Sequence, residues 1–285
     1  MEAYYRADES EGYVEGRPCP GDRSSDRIEA ASICCGRKGE NVMGEKIYRL
    51  HYRGQLQDNV SMGQLQEATD QCVRLAEQAK GQGRILTAAL YQADRMLFFY
   101  YEALGEPLPV TEPLSLEKEV FLPESGEDKQ TTCIRPEELL VPLCPLLQIW
   151  PGQKGDRHWV YMYHIYYHSI PEDVESWNRD RKPKMRRGRI AFLREDKLFS
   201  YVYFHKAIVE EGLLMGDRYQ SIALHENILF SYFEEPKTMV NVKNEPEGES
   251  RVIEDWMAAD PESHFIHMPE GKGGNFMFLP ALFAV

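Results

Sequence analysis

The sequence predicts an α+β fold: two ferredoxin-like βαββαβ repeats packed as an intramolecular dimeric α+β barrel. Three observations carry that reading. The chain writes nearly the same hexapeptide twice, Leu97-Phe98-Phe99-Tyr100-Tyr101-Glu102 and Leu229-Phe230-Ser231-Tyr232-Phe233-Glu234, 132 positions apart. Each copy follows a similar strand-like run, Gly83 to Tyr91 before the first and Gly216 to His225 before the second. The same order of strand and helix patterns surrounds both copies. A four-stranded sheet with helices on one face needs cover on the other, and two copies in one chain can cover each other.

The elements follow in order. Residues 1–42 are rich in Gly, Ser, Arg, Asp and Glu with no sustained period and are expected as a disordered extension. Met43, just before the first strand, is an alternative start that the intact mass of natively made protein would test. Repeat one is expected over 43–169. Lys46 to Tyr52 alternates apolar and polar side chains, as a half-buried strand does. Ser61 and Gln64 form a capping-box signature for a helix on which Leu65, Ala68, Cys72, Leu75 and Ala79 recur at helical spacing. Gly81 and Gly83 end it. Strands 84–92 and 95–103 meet at a tight turn, Ala93-Asp94. A Pro- and Glu-rich loop spans 104–134, a lid or an insertion. A helix from Pro136 to Leu147 and an aromatic strand from Trp159 to Tyr167 complete the unit.

Residues 170–188 are expected to link the halves, with the basic run Arg179 to Arg187 as a solvated face. Repeat two, 189–285, starts with strand Arg189 to Arg194 and a helix from Lys197 to Met215 closed by Gly216. Strands 218–225 and 228–235 meet at Glu226-Asn227. A polar loop over 236–250, a helix from Val252 to Ala259 and a strand from Asn275 to Ala284 follow.

The net charge of −13 argues against a nucleic-acid backbone or an anionic membrane as partner. No apolar run is long enough for a bilayer, and the polar, acidic N-terminus shows no secretory signal. All six cysteines precede position 145, with no C-x-x-C, and read as reduced thiols of a cytoplasmic protein. Gly271-Lys272-Gly273-Gly274 lacks phosphate-loop spacing, and no nucleophile-elbow or dinucleotide fingerprint is present.

Two clusters can carry chemistry. Tyr201 and His205 stand four apart on the predicted helix, so a phenol and an imidazole share one face. Their ordinary pKa values, about 10 and 6.5, suit a proton donor and acceptor. The same spacing also suits the edge of a core. An offset of 133 from Gly83 to Gly216 makes Ala68 and Cys72 their equivalents in repeat one, so the fold itself does not require the polar pair. The second cluster is the aromatic strand, where His158, His164 and His168 share parity. Four strand residues span about 13 Å, too far for His164 and His168 to share a metal. That face could instead line a pocket for haem or another small ligand.

The second half, roughly 186–285, resembles the L-rhamnose mutarotase family. The resemblance rests on Tyr201-x-x-x-His205, the strand residues Tyr219, Ser221 and Ile222, Asn227 before Leu-Phe-x-Tyr-Phe-Glu, and Trp256 on the second helix. It implies a cofactor-independent sugar isomerase, with Tyr201 and His205 as proton-transfer residues. Trp256, Tyr219 and Tyr232 would then be aromatic surfaces for a monosaccharide, with no metal and no cofactor. The chain departs from the family in three places: Met257 stands where a second tryptophan is common, Ala207 to Glu211 replaces its Trp-Pro-Glu segment, and the first helix is about one turn shorter before the next strand. The alternative is a non-catalytic barrel that binds a small ligand, or a structural module without turnover.

Overall fold

The computed structural model describes residues 46–105, 133–151, 156–177, 179, 184–211, 215–241, 250–271 and 273–285. The expected extension over 1–42, the alternative start at Met43, nearly all of the 104–134 loop and most of the 236–250 loop lie outside these residues.

The first sheet is built as the repeat pattern requires. β1 (Lys46–Gln55) leads into α1 (Met62–Gly81), then the hairpin β2 (Ile85–Ala93) and β3 (Met96–Gly105). The α1 capping box is present, with Ser61 and Gln64 satisfying each other's backbone N–H groups. Leu65, Ala68, Cys72 and Ala79 are buried against the sheet, and Leu75 is half-buried. The β2–β3 turn places Asp94 at φ 51, a left-handed position that Asp tolerates. The predicted 136–147 helix is a single α-turn, α2 (Pro136–Leu139), followed by a 3-10 segment. Pro142 and Pro145 cannot donate the bonds a longer α-helix needs.

The predicted aromatic strand is two strands, and the break is where the fold closes. β4 (Val160–Tyr161) pairs with β1, whereas β5 (Tyr163–Tyr167) pairs with β8 (Ser221–His225) in the second sheet. The last strand is split in the same way. β12 (Met277–Leu279) pairs with β6 (Met185–Leu193), and β13 (Ala281–Ala284) pairs with β2. The chain therefore steps from one sheet to the other at Met162 and again at Pro280. The first sheet runs β13-β2-β3-β1-β4. The second runs β11-β6-β9-β8-β5, with β9 (Ile228–Glu235), β11 (Phe265–Ile266) and β12 beside β6. Each contains the antiparallel ferredoxin-like order plus one strand contributed by the other repeat.

The helices of the second sheet are α3 (Leu198–Glu210) and α4 (Arg251–Ala258). The α3 helix stops short of the predicted Met215. Gly216 does not cap it but sits in β7 (Met215–Asp217), paired with β10 (Met239–Asn241). A Cβ at Gly216 would collide with the His168 imidazole, so the absence of a side chain there lets that ring close against the backbone. Strand β6 begins four residues earlier than predicted, at Met185, because Glu235 and Glu234 extend the ladder to Met185 and Arg186.

Side chains alternate between three buried layers. On β3, Leu97, Phe99 and Tyr101 meet α1, while Phe98, Tyr100 and Leu104 point between the sheets. On β9, Leu229 meets the second pair of helices, while Ile228, Phe230 and Tyr232 point between the sheets. Strands buried on both faces explain why the hexapeptide is a nearly unbroken apolar run. Among the described residues no helix is long and apolar enough to cross a membrane.

Candidate functional site

The α3–α4 layer brings three of the sequence-predicted residues together. Tyr201 and His205 stack with ring centroids 3.8 Å apart and planes 22° from parallel. Trp256 from α4 stands edge-on to both, 5.9 Å from Tyr201 and 5.2 Å from His205. Tyr166 on β5 closes the third side of His205 at 5.3 Å. This strand comes from the first repeat, so the candidate site is shared between the repeats. Ala68 and Cys72, the predicted equivalents on α1, are simply buried apolar contacts.

The His205 tautomer follows from its partner. Nδ1 lies 2.9 Å from the Tyr201 carbonyl oxygen, which can only accept, so Nδ1 carries the proton and Nε2 the lone pair. Burial pushes the imidazole down to about 4, against the opposing effect of that carbonyl bond. His205 is therefore neutral near pH 7, its Nε2 carrying the lone pair.

His264 extends the cluster. It is fully buried, 4.8 Å from Trp256, and its Nε2 lies 2.9 Å from Ser200 Oγ. Neither residue stood out in the sequence, because Ser200 and His264 are 64 positions apart with no motif between them.

Tyr219 and Tyr232 do not reach this cluster; they lie across the second sheet, in the layer between the sheets. Tyr219 meets Trp177 edge-on at 5.2 Å and lies 4.6 Å beneath the Arg179 guanidinium. Tyr232 stacks on Tyr100 at 3.7 Å, the two repeat-equivalent tyrosines meeting across the barrel. Each donates a 2.7 Å bond to the glutamate two residues on, Tyr100 to Glu102 and Tyr232 to Glu234. Arg179 lies between the two carboxylates, reaching Glu102 Oε2 at 2.8 Å and Glu234 Oε1 at 2.6 Å. The basic run expected as a solvated face thus supplies the cation for two fully buried anions. Burial raises both tyrosines well above their usual range. For Glu102 burial is the largest single influence and pushes upward, but the charge and hydrogen bonds of Arg179, with the Arg49 charge and the Tyr100 hydrogen bond, together outweigh it and the net shift is downward.

The two units cross over around this centre. Arg49, paired with Glu102 in the β1–β3 ladder, donates to the Tyr219 carbonyl at 2.6 Å. Arg186, paired with Glu234 in the β6–β9 ladder, donates to Thr87 Oγ1 at 2.5 Å. Each arginine therefore binds the opposite repeat.

The histidines of the aromatic strand separate. A register shift between His164 and Tyr166 breaks the parity expected for His164 and His168, and His158 lies before β4, outside the strands. His164 points inward, 5.2 Å from His51, and burial drives it down to about 3. His51 bonds Ser221 Oγ at 2.9 Å, leaving His51 Nδ1 and His164 Nε2 buried without a partner. Among the described residues no three His, Cys, Asp or Glu side chains converge as a metal ion would need.

No protein-family model and no curated protein matches this chain. A similar solved structure is that of a Fusobacterium nucleatum protein named provisionally as a monooxygenase. The similarity covers 85% of this chain and 94% of that one, at 9% identity and a TM-score of 0.34.

Proposed function

We propose that the α3–α4 cluster is the site of a cofactor-independent sugar isomerase of the mutarotase type, with Tyr201 and His205 transferring protons. The observation that carries this reading is the fixed His205 tautomer beside a phenol: an imidazole whose Nε2 holds the lone pair, its ring stacked on that of Tyr201. Anomer exchange needs no more than one acceptor and one donor. His205 Nε2 takes the proton of the anomeric hydroxyl while the ring C–O bond breaks. The ring oxygen takes the Tyr201 proton, giving the open aldehyde. Rotation about the adjacent bond and the reverse transfers close the other anomer and restore both residues. Trp256 supplies a flat apolar wall for one side of the sugar ring. Tyr219 and Tyr232 have no part in this scheme, being across the sheet.

Saturation transfer between the anomeric proton signals of free deoxyhexoses, L-rhamnose first, is the test. Catalysed exchange by the wild type and its loss in His205→Ala support the reading. Full exchange in the variant, or no exchange above buffer with any deoxyhexose, sinks it.

A second reading is favoured by the unpartnered His51 Nδ1 and His164 Nε2 between the sheets: a small molecule with hydrogen-bonding groups would satisfy both. The Tyr100–Tyr232 stack occupies part of the space between the sheets. A thermal-shift screen repeated on His164→Ala tests it. A ligand whose stabilisation survives that substitution does not bind at these nitrogens.

A further inference from the structure

We propose that Ser200 and His264 form a nucleophile–base pair that carries acyl transfer from carboxylic esters to water, independently of the proton transfer assigned to Tyr201 and His205. Ser200 Oγ lies 2.9 Å from His264 Nε2, and His264 Nδ1 lies 3.0 Å from the Asp260 carbonyl oxygen. The carbonyl can only accept, so Nδ1 holds the imidazole proton, Nε2 holds the lone pair, and the Ser200 hydroxyl donates to it. A hydroxyl bonded to a base, with the base oriented by a third group, is the arrangement that activates a serine. Here the third group is a backbone carbonyl.

The orientation is held from several sides. Asp260 adopts left-handed backbone angles, φ 55 and ψ 80. Its carbonyl also accepts from Ser263 N at 3.0 Å and Ser263 Oγ at 2.7 Å. Trp256 lies edge-on to the His264 ring at 4.8 Å, and the imidazole has no solvent exposure, so the ring cannot swing away. Ser200 differs from its partner in the way a nucleophile must: it is only half-buried. It sits in the first turn of the 13-residue helix α3, where the helix dipole favours developing negative charge on oxygen.

The step balances. Ser200 Oγ attacks the ester carbonyl carbon and its proton passes to His264 Nε2. The ester C–O bond breaks, and the leaving alcohol takes that proton, which leaves an acyl group on Ser200. Water then attacks the acyl carbon and gives a proton to His264. The carboxylic acid departs as Ser200 Oγ regains the proton.

The test uses the full chain and an alkyl fluorophosphonate, which forms a P–O bond to an activated serine and expels fluoride. Peptide mass mapping of the wild type is expected to place the adduct on Ser200. Ser200→Ala should lose it while remaining folded, with a lowered melting midpoint from the unpaired His264 Nε2. His264→Gln should slow labelling about 100-fold or more, the size of a general-base contribution. An unlabelled Ser200 in folded wild type overturns the proposal, as does an adduct that persists in Ser200→Ala. Labelling of folded His264→Gln at the wild-type rate also overturns it. If His264→Gln does not fold, hydrolysis of p-nitrophenyl acetate by wild type and Ser200→Ala decides: equal rates overturn the proposal, and loss in the variant supports it.

Discussion

Replacing Arg179 by Met removes the cation that two fully buried carboxylates share. Glu102 and Glu234 have no side-chain exposure, and the Arg179 side chain has 14%. Removing one partner of a buried ion pair costs about 3–5 kcal/mol, because the remaining charge is left uncompensated in a poorly solvated site. The partial exposure of Arg179 favours the lower end, about 3 kcal/mol at pH 7. At about 2–4 °C per kcal/mol for a chain of this size, the midpoint of thermal unfolding falls by about 6–12 °C. The pH dependence gives the sharper test. In the wild type burial pushes the Glu102 carboxyl up, but the charge and hydrogen bonds of Arg179, helped by Arg49 and Tyr100, together outweigh it and the net folded pKa is lowered. A group depressed on folding adds stability that is present above its unfolded pKa, about 4.3, and lost as pH falls through the folded value. Without Arg179 the burial remains and the principal opposing charge is gone, so Glu102 accepts a proton more readily when folded. The stability gap between variant and wild type should therefore narrow as pH falls from 7 toward 4. Urea unfolding across that range measures it. A gap under 1 kcal/mol at pH 7, or one that stays constant down to pH 4, refutes the reasoning.

The remaining predictions concern packing, hydrogen bonding and thiols. Gly188→Ala places a Cβ about 2.7 Å from the Tyr91 ring, which is backed by Phe230, so overpacking should cost about 1–3 kcal/mol in urea unfolding. Tyr232→Phe removes the 2.7 Å bond to Glu234 and should cost about 1.5–3 kcal/mol, the range for bonds to a charged group, with little change in the denaturant slope. Burial pushes the Cys72 and Cys133 thiols up to about 12, so both should stay unmodified by iodoacetamide at pH 8 in native protein and react after denaturation, as read by peptide mass.

The secondary-structure pattern exposed much of this fold because its strands are long and its helix start is chemically marked. The Ser61–Gln64 box located α1 to the residue, and Leu229 to Glu234 falls entirely within β9. What the pattern hid were the two crossings between sheets. A strand that changes partner at Met162 or Pro280 keeps its extended backbone and apolar content, so periodicity continues through the break. Helix spacing placed Tyr201 and His205 together, because i and i+4 positions must share a face, and Trp256, singled out by resemblance, joins them. Tyr219 and Tyr232 were grouped with them by resemblance alone. Strand parity, applied to β9, already separates Tyr232 from Leu229, the residue that faces the helices. The Ser200–His264 contact had no sequence signal, since it depends on how a 3-10 turn after α4 docks on the start of α3.

The repeated hexapeptide has a second physical role beyond forming strands. In each copy the fourth residue is Tyr and the sixth is Glu, and strand parity turns both toward the other sheet. A duplicated unit closing on itself therefore brings like onto like: tyrosine stacks on tyrosine, and two carboxylates converge on one arginine. Two identical subunits would have to neutralise such a pair with groups supplied twice or with a cation on the axis. A single chain can place one cation off the repeat, and Arg179, in the segment between the units, does so. That asymmetry is available only after fusion. It assigns the connecting segment a structural role at the barrel axis, while the polar pair Tyr201 and His205 occupies a helix position that the first repeat fills with Ala68 and Cys72. The two differences between the repeats thus lie on opposite faces of the second sheet. Substitutions at one should leave the other's behaviour unchanged, with additive effects on stability as expected for sites that share no partners.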